Sequence, residues 1–144
     1  MPTHLKTIFF LLLALIFFGG THCVAAEIVL VVHNNNSIST LSKRNAELIF
    51  LGKKTRWSSG DPVHVAVNNE KDAYDTFCRE ILKKTPGQYL LYRKKMLFNG
   101  SGIPPLTMEN DDEVKNFVAE SRQAIGFINR KSLDTRVKQL IIIE

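Results

Sequence analysis

The chain has 144 residues, 19 Lys and Arg against 14 Asp and Glu, a formal charge of +5 and 44% hydrophobic residues. That is enough for one domain with a buried core and too little for two full lobes. The modest, dispersed basic excess favours anionic partners only mildly.

At the amino end a polar stretch carrying Lys6 precedes the apolar run Ile8 to Phe18, then Gly19-Gly20 and Val24-Ala25-Ala26. This is the layout of a secretory signal, with cleavage expected before Glu27. The run of 11 residues falls short of the roughly 20 that a spanning helix needs, which speaks against the other reading, a retained anchor. Cys23 invites a lipid-modification reading, but the bulky His22 before it does not suit that processing. The expected organisation is a cleavable signal over 1–26 and one domain over 27–144, exported to the periplasm and without a stable membrane anchor. Cys78 is then the only thiol left, so no intramolecular disulfide forms and stability rests on packing.

Glu27 to His33, with Ile28-Val29-Leu30-Val31-Val32 at its centre, reads as a strand buried on both faces and stopped by Asn34-Asn35-Asn36. Ser42 caps a first helix that ends at Gly52. Lys53 to Pro62 is turn-forming sequence around Trp57. Val63 to Val67 is a second strand, and Asn68-Asn69 turns it into a helix whose Tyr74, Phe77, Cys78, Ile81 and Leu82 share one apolar face. Thr85-Pro86 starts another helix, running to about Phe98. After the loop Asn99 to Pro105, the acidic residues Glu109, Asp111, Asp112 and Glu113 open a helix whose buried face is Val114, Phe117 and Val118. Ala124 to Ile128 and Val137 to Ile143 complete the strands. Alternating strands and helices predict an α/β domain, a mainly parallel sheet with helices on both faces.

Several short motifs follow one another in a recognisable order: the strand with its Asn-rich turn, Ile49-Phe50-Leu51-Gly52-Lys53-Lys54, Trp57 and Gly60, Phe98-x-Gly100, Pro104-Pro105, and Ala124-Ile125-Gly126-Phe127-Ile128. Together they resemble the small members of the phosphate-type ABC-transporter substrate-binding family, which has the type 2 periplasmic binding protein fold. The resemblance runs from about Glu27 to about Asn129 and implies one lobe of that fold, a phosphate-like ligand and a transporter partner. Full-length relatives place an Arg and a Ser-Gly-Thr run after the strand matching Val63 to Val67. Here that stretch holds Glu70, Asp72 and Asp75, carboxylates that repel phosphate. Arg93 stands where the family usually has a tryptophan.

Ligands of open α/β sheets collect beyond the carboxyl ends of strands, where helix N-termini present free N–H groups to anions. Two loops qualify as candidate binding residues: Asn34, Asn35, Asn36 and Ser37 after the first strand, and Asn68, Asn69 and Lys71 after the second. All of them also serve as ordinary turn and cap residues. The leading expectation is a small oxyanion, phosphate included, held by both loops for transport or sensing. The alternative is an exported protein-interaction module on the same fold, with Lys83, Lys84, Arg93, Lys94 and Lys95 as its surface for an envelope protein or anionic headgroups. No catalytic residue, metal site or cofactor is expected. His33 and His64 lack metal spacing, Cys78 sits among apolar positions, and export argues against nucleic acid.

Overall fold

The computed structural model describes residues 26–144, so all but the last residue of the expected signal over 1–26 lies outside the described residues. In chain order the elements are β1 (Ile28–Val32), β2 (Thr40–Ser42), α1 (Lys43–Phe50), β3 (His64–Asn68), α2 (Lys71–Phe77), α3 (Pro86–Asn99), β4 (Leu106–Met108), α4 (Asp111–Glu120), β5 (Ala124–Asn129), β6 (Lys138–Gln139) and β7 (Ile141–Ile143). A π-turn over Cys78–Leu82 extends α2, and a 3-10 turn over Arg130–Ser132 follows β5.

Local chemistry accounts for the helix ends. Ser42 and Asn110 accept the N–H groups of Asn45 and Glu113 at the starts of α1 and α4, and Thr85 with Gln88 forms a reciprocal capping box ahead of Pro86. Gly52, at φ +70, closes α1 in the left-handed region, and a β-carbon there would collide with Met96 Cε. The helix that begins at Lys71 widens at Cys78, because Lys83 turns left-handed and its N–H reaches back to the Cys78 carbonyl.

The main sheet has the order β4-β3-β5-β1-β6. β3 is parallel to both β4 and β5, whereas β1 is antiparallel to β5, with Ile28 opposite Asn129 and Val32 opposite Ile125. β6 is antiparallel to β1 in turn, so β1 alone runs against the others. The sheet is thus mainly parallel, as expected, with a reversed strand where the sequence suggests only another parallel one. β2 and β7 form a separate parallel pair. Three-residue strands such as β2 and β4 are too short to show a period, so neither is legible in the sequence.

Alternation along β1 and β5 divides the core into two layers. Leu30, Val32, Ile125 and Phe127 face α1 to α3, where Phe50, Phe77, Tyr89 and Trp57 are buried. Phe77 stacks on Phe127 with centroids 3.9 Å apart, and Phe50 meets Phe77 edge-on at 4.6 Å. Val29, Val31, Ala124 and Ile128 face α4 through Val114 and Val118. Gly126 sits between them because a β-carbon there would lie 2.6 Å from Val114 Cγ1. Both layers and every strand pairing fall within residues 28–143, so this segment carries its own core.

Candidate functional site

Because β3 and β5 are parallel and β1 is reversed, the carboxyl ends of β3, β4 and β5 share one edge of the sheet with the amino end of β1. Asn68 closes β3 and Asn129 closes β5, while α2 and α4 start from this edge. Here lies a buried polar cluster. Asp111, the first residue of α4 and 8% exposed, accepts from Asn68 Nδ2 at 2.7 Å and the Asn129 N–H at 3.1 Å through Oδ1. Its Oδ2 accepts from Asn129 Nδ2 at 3.1 Å and Ser132 Oγ at 2.5 Å. Asn68 Oδ1 accepts the Glu70 N–H, and Asn129 Nδ2 also donates to Glu70 Oε2.

Four donors therefore converge on one carboxylate at a helix start, where the helix dipole favours negative charge. The donor set is taken up by the chain's own carboxylate. The local sequence shows Asp111 only as a helix-start charge. Its pairing with Asn68 and Asn129 crosses 43 and 18 residues and leaves no local signal.

Outside this cluster a cleft of about 830 Å³ is lined by residues that include Glu27, Glu70, Asp72, Asp75, Arg79, Arg130 and Lys131. Its charges are partly matched. Arg130 Nε meets Glu27 at 2.8 Å, and Lys71 Nζ meets Asp75 at 2.6 Å, although the Lys71 side chain is 84% exposed. The Asp75 carboxylate, by hydrogen bond and charge, raises the Lys71 pKa above its ordinary value. Asn69 is exposed and its N–H donates to the Met108 carbonyl.

The structure brings Asn68, Asn69 and Lys71 together and leaves Asn34, Asn35, Asn36 and Ser37 at the other end of the sheet. The reversal of β1 is the reason, since the loop after it emerges beside the amino ends of β3 and β5, roughly 13 Å of strand away. The two asparagine loops do not share a pocket. Asn34 Nδ2 donates to the Thr135 carbonyl, the Asn35 N–H donates to His33 Nδ1, and buried Asn36 donates to the Arg122 carbonyl while accepting the Ile38 N–H. Asn36 and Ser37 line a separate polar cleft of about 380 Å³ with Trp57, Ser59, Asp61, Arg122 and Gln123. Trp57 is a core residue, 4% exposed, with Nε1 donating to the Gln123 carbonyl.

Two other residues are tied up structurally. Cys78 is wholly buried, and burial pushes its thiol up to about 11, far from nucleophile chemistry. Arg93 lies over the Tyr89 ring at 5.6 Å and donates to Thr107 Oγ1 and the Pro105 carbonyl, so it braces the loop after α3 and is withdrawn from the surface group of lysines.

The fold is that of one lobe of a type 2 periplasmic binding protein, an α/β sheet whose parallel strands present helix starts along one edge. Among solved structures, it is similar to a Clostridium perfringens protein described as a phosphate ABC transporter substrate-binding protein with bound phosphate. The TM-score is 0.64 at 20% identity, over 81% of this chain and 45% of that one. An ABC-type phosphate transport receptor from Vibrio cholerae matches at 0.56 and 18% identity, over 81% and 46%. PstS from Borrelia burgdorferi matches at 0.58 and 11%, over 81% and 47%. The chain thus spans less than half the length of these structures. No protein-family model matches the chain, and neither does any curated protein.

Proposed function

We propose that this chain is an exported, non-catalytic solute-binding lobe of the phosphate ABC-transporter type. It takes a small oxyanion, phosphate among them, in the periplasm for transport or sensing, with an envelope or transporter protein as partner. The observation that carries this reading is the carboxyl edge itself. The lobe that matches phosphate-binding structures presents there a cleft lined by Arg79, Asn129, Arg130 and Lys131, with Asn69 and Lys71 next in sequence to its lining residues Glu70 and Asp72.

Asp111 already holds the inner donors, so the ion sits at the outer rim of the cleft, opposed by Glu70, Asp72 and Asp75. Each carboxylate about 4 Å away costs such an ion on the order of 1 to 4 kcal/mol. An open, one-sided site of this kind binds weakly unless a second surface covers it.

Titration of residues 27–144 with phosphate and with sulfate, followed by calorimetric heat and melting temperature, tests the reading. Heat of binding that vanishes in Lys71→Ala and Lys131→Ala is the expected result. A flat response to both ions at millimolar concentration overturns it. The alternative, an exported interaction module without a solute, is favoured by one observation: the chain's own carboxylate occupies the best oxyanion donors.

A further inference from the structure

Among the described residues eight large apolar side chains are exposed, and six of these, Leu90, Leu91, Leu97, Phe98, Ile103 and Leu106, lie on α3 and the segment just after it. Phe98 is 83% and Ile103 93% exposed. On α3 the exposed positions 90, 91, 94, 95, 97 and 98 recur at i, i+1, i+4, i+5, i+7 and i+8, which places them on one side of a helix. Tyr89 and Met96 hold the opposite side in the core. The outward face of α3 is therefore apolar, interrupted by Lys94 and Lys95.

The segment after α3 belongs to the same surface. Gly102 lies against Met96, whose Cε is 3.1 Å from the position of a β-carbon there, and Arg93 ties α3 to Pro105 and Thr107. From Ile81 to Met108 the chain holds Lys83, Lys84, Arg93, Lys94 and Lys95 and no Asp or Glu. Lys94 and Lys95 are exposed and make no ion pair among the described residues.

We propose that this face docks on an anionic lipid bilayer, with Leu97, Phe98 and Ile103 entering the headgroup boundary and Lys94 and Lys95 meeting lipid phosphates. Charge complementarity selects the occupant. A stretch with cations and no carboxylate repels a second copy of itself, while an anionic surface attracts it. The apolar side chains protrude from a helix face and a loop tip, a shape that enters a fluid interface, and lysine stems reach from apolar surroundings to the phosphate level. No residue of α3 or of the segment after it lines the oxyanion cleft, so this inference stands or falls independently of solute binding.

Co-sedimentation of residues 27–144, which carry both cores and lack the apolar Ile8 to Phe18 run, tests it. The vesicles are phosphatidylcholine alone or phosphatidylcholine mixed with phosphatidylglycerol. The domain is expected to pellet with the anionic vesicles and to be released by salt. Lys94→Glu with Lys95→Glu should weaken binding about tenfold or more. Phe98→Ser with Ile103→Ser should weaken it as clearly while leaving the melting temperature unchanged, since both side chains are in water already. Failure of the unaltered domain to pellet, equal binding to both vesicle types, or indifference to either double substitution overturns the proposal. So does a concentration-dependent dimer in light scattering that the Phe98 and Ile103 changes abolish without any vesicle binding. If either double variant fails to fold, the lipid and salt dependence of the unaltered domain still decides the outcome.

Discussion

The side-chain amide of Asn68 donates to Asp111 Oδ1 at 2.7 Å, joining the end of β3 to the start of α4 inside the sheet edge. Asn68 is fully buried, so the carboxylate serves the fold by satisfying amides that water cannot reach. Asp111→Asn should cost about 2 to 3 kcal/mol, because an amide presents one acceptor oxygen where the carboxylate presents two. Denaturant unfolding of the two proteins measures it.

Asp111→Gly makes a sharper test of the same cluster. It leaves Asn68 Nδ2, Asn129 N–H and Nδ2 and Ser132 Oγ converging on an empty position. Formate should raise the melting temperature of this variant and have little effect on the unaltered chain. An equal response in both would show that the donors do not form an oxyanion site.

Gly126→Ala places a methyl group 2.6 Å from Val114 Cγ1, between β5 and α4. The helix must shift outward or Val114 must leave its rotamer, at a cost of about 1 to 3 kcal/mol. Thermal unfolding should show the loss, and pairing the change with Val114→Ala should recover part of it.

The far side of α4 carries a charge network that should govern acid stability. Arg136 donates to Asp112 at 2.8 Å and to Asp134 at 2.7 Å, and buried Lys115 meets Asp134 at 2.9 Å and Asp112 at 3.0 Å. Hydrogen bonds from Arg136, then from Lys115, hold both carboxyls below their ordinary values. Burial works to lower the Lys115 pKa, but hydrogen bonds to Asp134 and Asp112 leave it raised. Folded carboxyls with depressed pKa contribute stability that is fully present above the unfolded value, about 3.9, and is lost as pH falls through the folded one. Melting temperature should fall from about pH 4 downward, and Asp134→Asn should flatten that acid limb.

Cys78 should react slowly with iodoacetamide at mildly alkaline pH in the folded protein and quickly once unfolded. It is wholly buried and its thiol is pushed up to about 11, so folding protects it through both access and ionisation. Fast labelling of the folded protein would mean that the turn over Cys78–Leu82 opens readily.

Much of the architecture was legible in the residues themselves. The apolar runs at Ile28–Val32 and Ala124–Ile128, the caps at Ser42 and Thr85 and the apolar face through Phe77 and Cys78 each state a local preference that the fold respects. The placing of Asn68, Asn69 and Lys71 between a strand and a helix is likewise legible from turn and cap chemistry. The exposed face of α3 was not, since Leu90, Leu97 and Phe98 look like core residues to any periodicity argument.

What the sequence by itself determined is therefore where the longer strands, helices and turns lie, because those follow from side-chain period, capping and turn chemistry within a few residues, whereas the three-residue β2 and β4 carry no such signal. Only the tertiary structure decided the direction of β1. An apolar run buried on both faces carries the same pattern read either way, so its orientation follows from pairing with β5, nearly a hundred residues later. That one choice sent Asn34 to Ser37 to the far end of the sheet. The site edge was left to Asn68, Asn129 and the carboxylate of Asp111, which no local pattern connects.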